Sequence, residues 1–161
     1  MEASRGPLAG IKVIEFSHMV MGPATGLILA DLGADVVKIE PPGGDKTRQL
    51  GGSGAGYHPM YNRNKRSIAL DLKNAEAVEI VKRLAAEHDV LLEQFRPGVM
   101  ERFGLGYETL REINPRLVYC SLTGYGQTGP FRDRAGHDMN YVATAGIASY
   151  SAREDGRPLP L

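Results

Sequence analysis

The stretch that decides the fold is Ile11-Lys12-Val13-Ile14-Glu15-Phe16-Ser17, then Gly22-Pro23, then Ala24 to Leu32, then Gly33, then Asp35-Val36-Val37-Lys38-Ile39-Glu40. The first segment is short, apolar and β-branched, the pattern of a buried strand. Pro23 suits a first helical turn, the run from Ala24 to Leu32 predicts a helix, and Gly33 is placed to end it. Asp35 to Glu40 reads as a second strand. Strand, helix and strand in so short a space form a βαβ unit, which requires a parallel pair joined by a right-handed crossover.

Outward from this unit the alternation continues. Positions 41 to 64 read as a long loop, with Pro41-Pro42-Gly43-Gly44 and Gly51-Gly52-Ser53-Gly54; so long an irregular stretch is more often functional than a plain connector. Strands are expected over 67–72, 89–93 and 117–122. Helices are expected over 75–87 (with Asn74 as N-cap), 100–103, 107–113 and 137–150, and Glu154 to Pro158 reads as a turn. The whole chain, residues 1–161, is expected to be one α/β domain, an open and largely parallel sheet with helices on both faces. Ligands of such sheets sit beyond the carboxyl ends of the strands. Ser17 to Gly22, Glu40, Glu93 to Arg96 and Leu122 to Gly126 are therefore expected to line one cleft.

Bulk properties exclude several classes. Basic and acidic residues balance at 19 each, so nothing points to a nucleic-acid partner. No apolar run has the length of a membrane helix, and the start carries no basic-then-apolar leader, so no membrane partner and a cytoplasmic location are expected. The single Cys120 permits no internal disulfide, and the four histidines have no metal-ligand spacing, so no metal is expected. There is no GxGxxG after the first strand, no Walker pattern and no GxSxG elbow. Three segments remain. Arg63-Asn64-Lys65-Arg66-Ser67 is either a solvated basic face or, beside a glycine-rich loop, a polyphosphate contact. Glu93-Gln94-Phe95-Arg96-Pro97-Gly98 lies at a strand end. In Arg134-Ala135-Gly136-His137-Asp138-Met139-Asn140-Tyr141, Asp138 reads as a helix-cap carboxylate and His137 as a packed loop residue, unless both belong to a site.

These same blocks carry a resemblance. Pro7 to Phe16, Met21-Gly22-Pro23, Leu32 to Glu40, Asn64 to Lys73, Glu93 to Gly98 and Leu122 to Gly126 resemble, in order, the amino-terminal part of family III CoA-transferases. That family includes formyl-CoA transferase, carnitine CoA-transferase and α-methylacyl-CoA racemase. The resemblance implies a Rossmann-like large domain, a small domain and an interlocked homodimer, with coenzyme A as substrate or acyl carrier. It places CoA contacts at Val20, Met21, Leu70, Asp71, Leu72, Lys73, Gln94, Phe95, Arg96, Arg102, Ala135, Gly136, His137 and Asp138. Some transferases carry a CoA-contacting Arg just after the second strand; here that position is Pro41, so no such contact carries over.

The block from Gly136 to Tyr141 is most similar to the racemase branch, in which this histidine and a later Asp exchange a proton beside the thioester carbonyl. Histidine suits that task because its ordinary pKa lies near the working pH. The resemblance also implies an Asp slightly beyond Leu161, as nucleophile in transferases or second acid/base in racemases. The expectation is thus an amino-terminal portion that needs a partner copy or a complementing carboxy-terminal chain, and that is inactive alone. Three readings stand: a racemase-like segment with His137 catalytic, a CoA-transferase segment, and a non-catalytic CoA- or partner-binding module.

Overall fold

The computed structural model describes residues 6–150 and Arg157. It forms two compact units, Met1–Leu122 and Thr123–Leu161. The first is built on a five-stranded sheet of β1 (Lys12–Phe16), β2 (Asp35–Glu40), β3 (Lys65–Ala69), β4 (Val90–Glu93) and β5 (Val118–Ser121). The order is β3-β2-β1-β4-β5 and every neighbouring pair is parallel. The expected open parallel sheet is therefore present, and its order reverses between β1 and β4.

Alternation along β1 divides the core in two. Ile14 and Phe16 join Ile39, Leu91, Val81, Ala85, Met100 and Leu110 on one face, covered by α3 (Ala75–Glu87), α4 (Val99–Arg102) and α5 (Tyr107–Ile113). Val13 and Val36 turn the other way, toward Ala30 and Ala34 at the end of α1 (Met21–Asp31). Helices thus cover both faces. Gly33 stops α1 as expected: at φ 103° it is left-handed, with Gly33 N–H donating to the Ala30 carbonyl and Ala34 N–H to that of Leu29. Asn74 caps α3 by accepting from Glu76 N–H at 2.9 Å.

Several expectations need correction. Helix α1 starts at Met21, three residues early, because Pro23 fits inside the first turn. The long loop holds 3-10 turns at Lys46–Gln49 and Gly52–Gly56 and a short helix, α2 (Tyr57–Asn62), whose mixed composition shows no apolar face. β3 begins at Lys65, two residues before the expected strand. The last helix divides into α6 (Asp138–Thr144) and a 3-10 turn at Ile147–Tyr150, separated at Gly146, whose φ is 77°. The turn expected from Glu154 to Pro158 lies, except for Arg157, outside the described residues.

Candidate functional site

The crevice follows from strand order. In parallel sheets the ligand sits where neighbouring crossovers leave in opposite directions, here between the carboxyl ends of β1 and β4. After β1 the chain turns through His18, Met19 and Val20 into α1. Met19 is held left-handed at φ 64°, a conformation that costs a non-glycine residue about 1–3 kcal/mol and clusters at ligand sites. After β4, Gln94 N–H donates to the Phe16 carbonyl at 3.1 Å. The Gln94 side chain crosses the crevice, its Oε1 accepting from Gly22 N–H at 2.9 Å and its Nε2 lying 3.3 Å from His18 Nδ1. Gly22 must be glycine for this, since a Cβ there would come 2.1 Å from Gln94 Oε1.

Most expected contact residues of the first unit gather on this edge. Val20 and Met21 are 37% and 47% exposed. Leu70 to Lys73 follow the carboxyl end of β3, and Arg96 and Arg102 follow that of β4. The rim from β3 to β4 covers three strand spacings, about 14 Å, a span that suits an elongated ligand. Lys73, Arg96 and Arg102 are exposed, and among the described residues no acidic side chain pairs with them. Leu70, Leu72 and Phe95 differ: their side chains pack against the core, Phe95 with its ring centroid 6.4 Å from that of Phe16. The side chains of these three are thus committed to the core. Asp71 accepts from the Lys73 amide at 3.1 Å and so shapes the turn.

The basic segment resolves differently from the polyphosphate reading. Arg63 pairs with Asp31 at 2.5 Å and Arg66 with Asp35 at 2.6 Å. Lys65 lies at the amino end of β3, its side chain 2% exposed, 2.8 Å from Glu15 Oε2. Lys65 also donates to the Pro23 carbonyl at 2.7 Å, and burial draws its pKa below the ordinary lysine value. These cations hold the sheet and α1 together.

Sequence reasoning missed a polar layer on the α1 face of β2. Lys38, 1% exposed, donates to Asp45 at 2.5 Å and to Asn62 at 2.8 Å. Glu40 accepts from Arg48 Nη2 at 2.7 Å, Arg48 Nε at 2.9 Å, Ser67 Oγ at 2.8 Å and Asp45 N–H at 2.7 Å. Burial alone would raise the Glu40 pKa, but these bonds hold it down to about 2. The signal was present as charged residues at alternate positions of an otherwise apolar strand. At the end of β4, burial pushes Glu93 above the ordinary carboxylate value although it accepts from Phe95 N–H.

In the second unit, His137 is the N-cap of α6 and exposed, with Asp138 as the first helical residue. His137 N–H donates to Asn140 Oδ1 at 2.9 Å. Tyr141 Oη donates to the Gly136 carbonyl at 2.7 Å and stacks edge-on against Tyr125 with centroids 5.0 Å apart. Ala135 is exposed and Gly136 half-buried; a Cβ on Gly136 would come 2.8 Å from the Tyr141 ring.

With this geometry in place the comparisons with known proteins are decisive. The family model described as CoA-transferase family III matches residues 8–160. The chain belongs to CoA-transferase family III. It is 44% identical to a succinate–glutarate CoA-transferase of Agrobacterium fabrum over 99% of its own length and 42% of that protein. It is also 44% identical to an α-methylacyl-CoA racemase of Mus musculus, over 95% of this chain and 37% of that one. The solved structure of a CAIB/BAIF family protein from Brucella suis superposes with a TM-score of 0.90 at 44% identity, over 97% of this chain and 43% of that one. This family III chain thus spans about two-fifths of the length of the curated relatives it matches. Among its described residues no group of histidine, cysteine or carboxylate side chains could hold a metal, and no helix is long and apolar enough to cross a membrane.

Proposed function

We propose that residues 1–161 bind coenzyme A thioesters across the β3-to-β4 rim, as the acyl-CoA-binding part of a family III enzyme. The observation that carries this is the set Lys73, Arg96 and Arg102 on the strand-end edge, with no acidic partner among the described residues, against the paired set Arg63, Lys65 and Arg66 elsewhere. Basic side chains without acidic partners, beside a parallel-sheet crevice, suit a ligand with three phosphates, because charge-assisted bonds to phosphate are the strong ones. The predicted contacts at Val20, Met21, Gln94 and Asp71 fall on the same edge.

The chemistry we propose is proton transfer at the α-carbon of a 2-methylacyl-CoA, with His137 as acid/base. The His-Asp-Met-Asn-Tyr block supports it, as does the exposed imidazole on a backbone fixed by Asn140 and Tyr141. A second reading, CoA transfer between carboxylic acids through an Asp nucleophile, is favoured by relatives such as the succinate–glutarate enzyme. In either case the active unit is a homodimer or a pair with a complementing carboxy-terminal chain.

The two readings part in one experiment on a full-length enzyme containing this segment. Racemase chemistry exchanges the α-proton of a 2-methylacyl-CoA with deuterium from solvent, read by mass spectrometry. His137→Ala should then lower exchange by about 100- to 10,000-fold. Transfer of CoA between carboxylates without such exchange, unchanged in His137→Ala, would remove the racemase reading and leave the transferase.

A further inference from the structure

Gln94 is an amide with one acceptor end and one donor end. Gly22 N–H can only donate, so the atom facing it at 2.9 Å is the amide oxygen. That leaves Nε2, a donor, facing His18 Nδ1 at 3.3 Å. A nitrogen that accepts a hydrogen bond carries no proton of its own, so the neutral imidazole holds its proton on Nε2. The backbone therefore sets the tautomer of His18 through the Gln94 amide. His18 is exposed, lies two residues past the end of β1 at the β1/β4 switch point, and is followed by the left-handed Met19. It belongs to neither core cluster, and among the described residues Gln94 is its side-chain hydrogen-bond partner.

We infer that His18 is a ligand-binding residue of this crevice, fixed by Gln94 so that Nε2–H is presented as a donor to an oxygen of the bound CoA thioester. Gln94 is then a positioning residue, and its side-chain amide is committed to Gly22 and His18; any contact Gln94 makes with ligand comes from its backbone. The inference rests on the CoA reading above. The acceptor is a phosphate or carbonyl oxygen, since both offer lone pairs to a neutral N–H donor.

Two measurements test it. The nitrogen-15 spectrum of the labelled imidazoles at pH 8 reports the tautomer directly. Wild type should show His18 protonated at Nε2, and Gln94→Met should show a mixture. A wild-type proton on Nδ1 overturns the inference. Calorimetric titration of CoA then reports function, with thermal midpoints as the check on folding. His18→Ala should weaken binding about 2- to 150-fold, the range for one hydrogen bond to a neutral or charged acceptor, at an unchanged midpoint. Gln94→Met should fall between it and wild type. 3′-Dephospho-CoA in parallel separates the sources: a mutant effect that vanishes with it assigns the acceptor to the 3′-phosphate, and one that persists assigns it to the remainder of the molecule. Wild type that binds while His18→Ala binds equally well overturns the assignment alone. Wild type that binds no CoA overturns the CoA reading and the assignment together.

Discussion

At the scale of single residues, the buried pair of Glu15 and Lys65 shows how one side chain dictates another's identity. Glu15 is fully buried and accepts from both Lys65 and Ser17. The pair fits under α1 only because residue 26 has no side chain: a Cβ there would come 1.7 Å from Glu15 Oε2 and 3.1 Å from Lys65 Nζ. Removing one member of a buried pair leaves an uncompensated charge, whereas replacing both with apolar groups is often neutral. We therefore expect Lys65→Met to destabilise the fold by about 3–5 kcal/mol in urea denaturation. Glu15→Leu combined with Lys65→Met should recover most of that loss. A double variant as unstable as the single one would show that the pair contributes shape rather than charge compensation.

At the scale of elements, the segment between β2 and β3 is tied to the sheet by Lys38–Asp45 and Glu40–Arg48. Glu40 is the last residue of β2, so this tie lies directly beneath the strand-end rim. Its pKa falls from an ordinary 4.5 to about 2, since Arg48, Asp45 N–H and Ser67 outweigh burial. A carboxylate depressed on folding contributes stability that is fully present above its unfolded pKa. That stability is lost as the pH falls toward the folded value. The expected window is pH 4.5 down to about 2, with Asp45, also depressed, acting in the same direction. Urea midpoints measured across this range should fall with acid, and Arg48→Leu should flatten the dependence while lowering stability at neutral pH. An unchanged acid slope in Arg48→Leu would place the titrating carboxylate elsewhere.

At the scale of the whole molecule, α1 is apolar on nearly every side, a pattern ordinarily found in helices covered all round. Here Ile28 is 61% exposed and Leu32 40%, and Met60 on neighbouring α2 is 56% exposed. Exposed apolar surface on this scale marks an interface or an association-prone face. Light scattering at micromolar concentration should show a dimer or larger species, and Ile28→Lys with Leu32→Lys should shift it toward monomer. A monodisperse wild-type monomer would rule the association out.

What the sequence by itself determined is the part of the molecule written in local patterns. β2 was legible to the residue from its β-branched run, α3 from its Asn74 cap and apolar spacing, and the end of α1 from Gly33. Parallel order followed too, because a βαβ connection of this length leaves no other pairing. The strand-end edge was legible for the same reason, since the segments that leave β1, β2 and β4 follow from the alternation alone. What only the tertiary structure decided depends on partners distant in sequence. Lys65 and Arg66 read as a basic patch until parallel pairing set them beside Val36 and Val37, close to the acidic residues that claim them. The glycines at 22 and 26 owe their identity to Gln94 and Glu15, whose side chains fill the space they leave. The tautomer of His18 was likewise beyond the sequence, because it is set by an amide 76 positions away. Local propensity acts between neighbours in the chain, whereas an ion pair, a missing Cβ and a shared proton act through space.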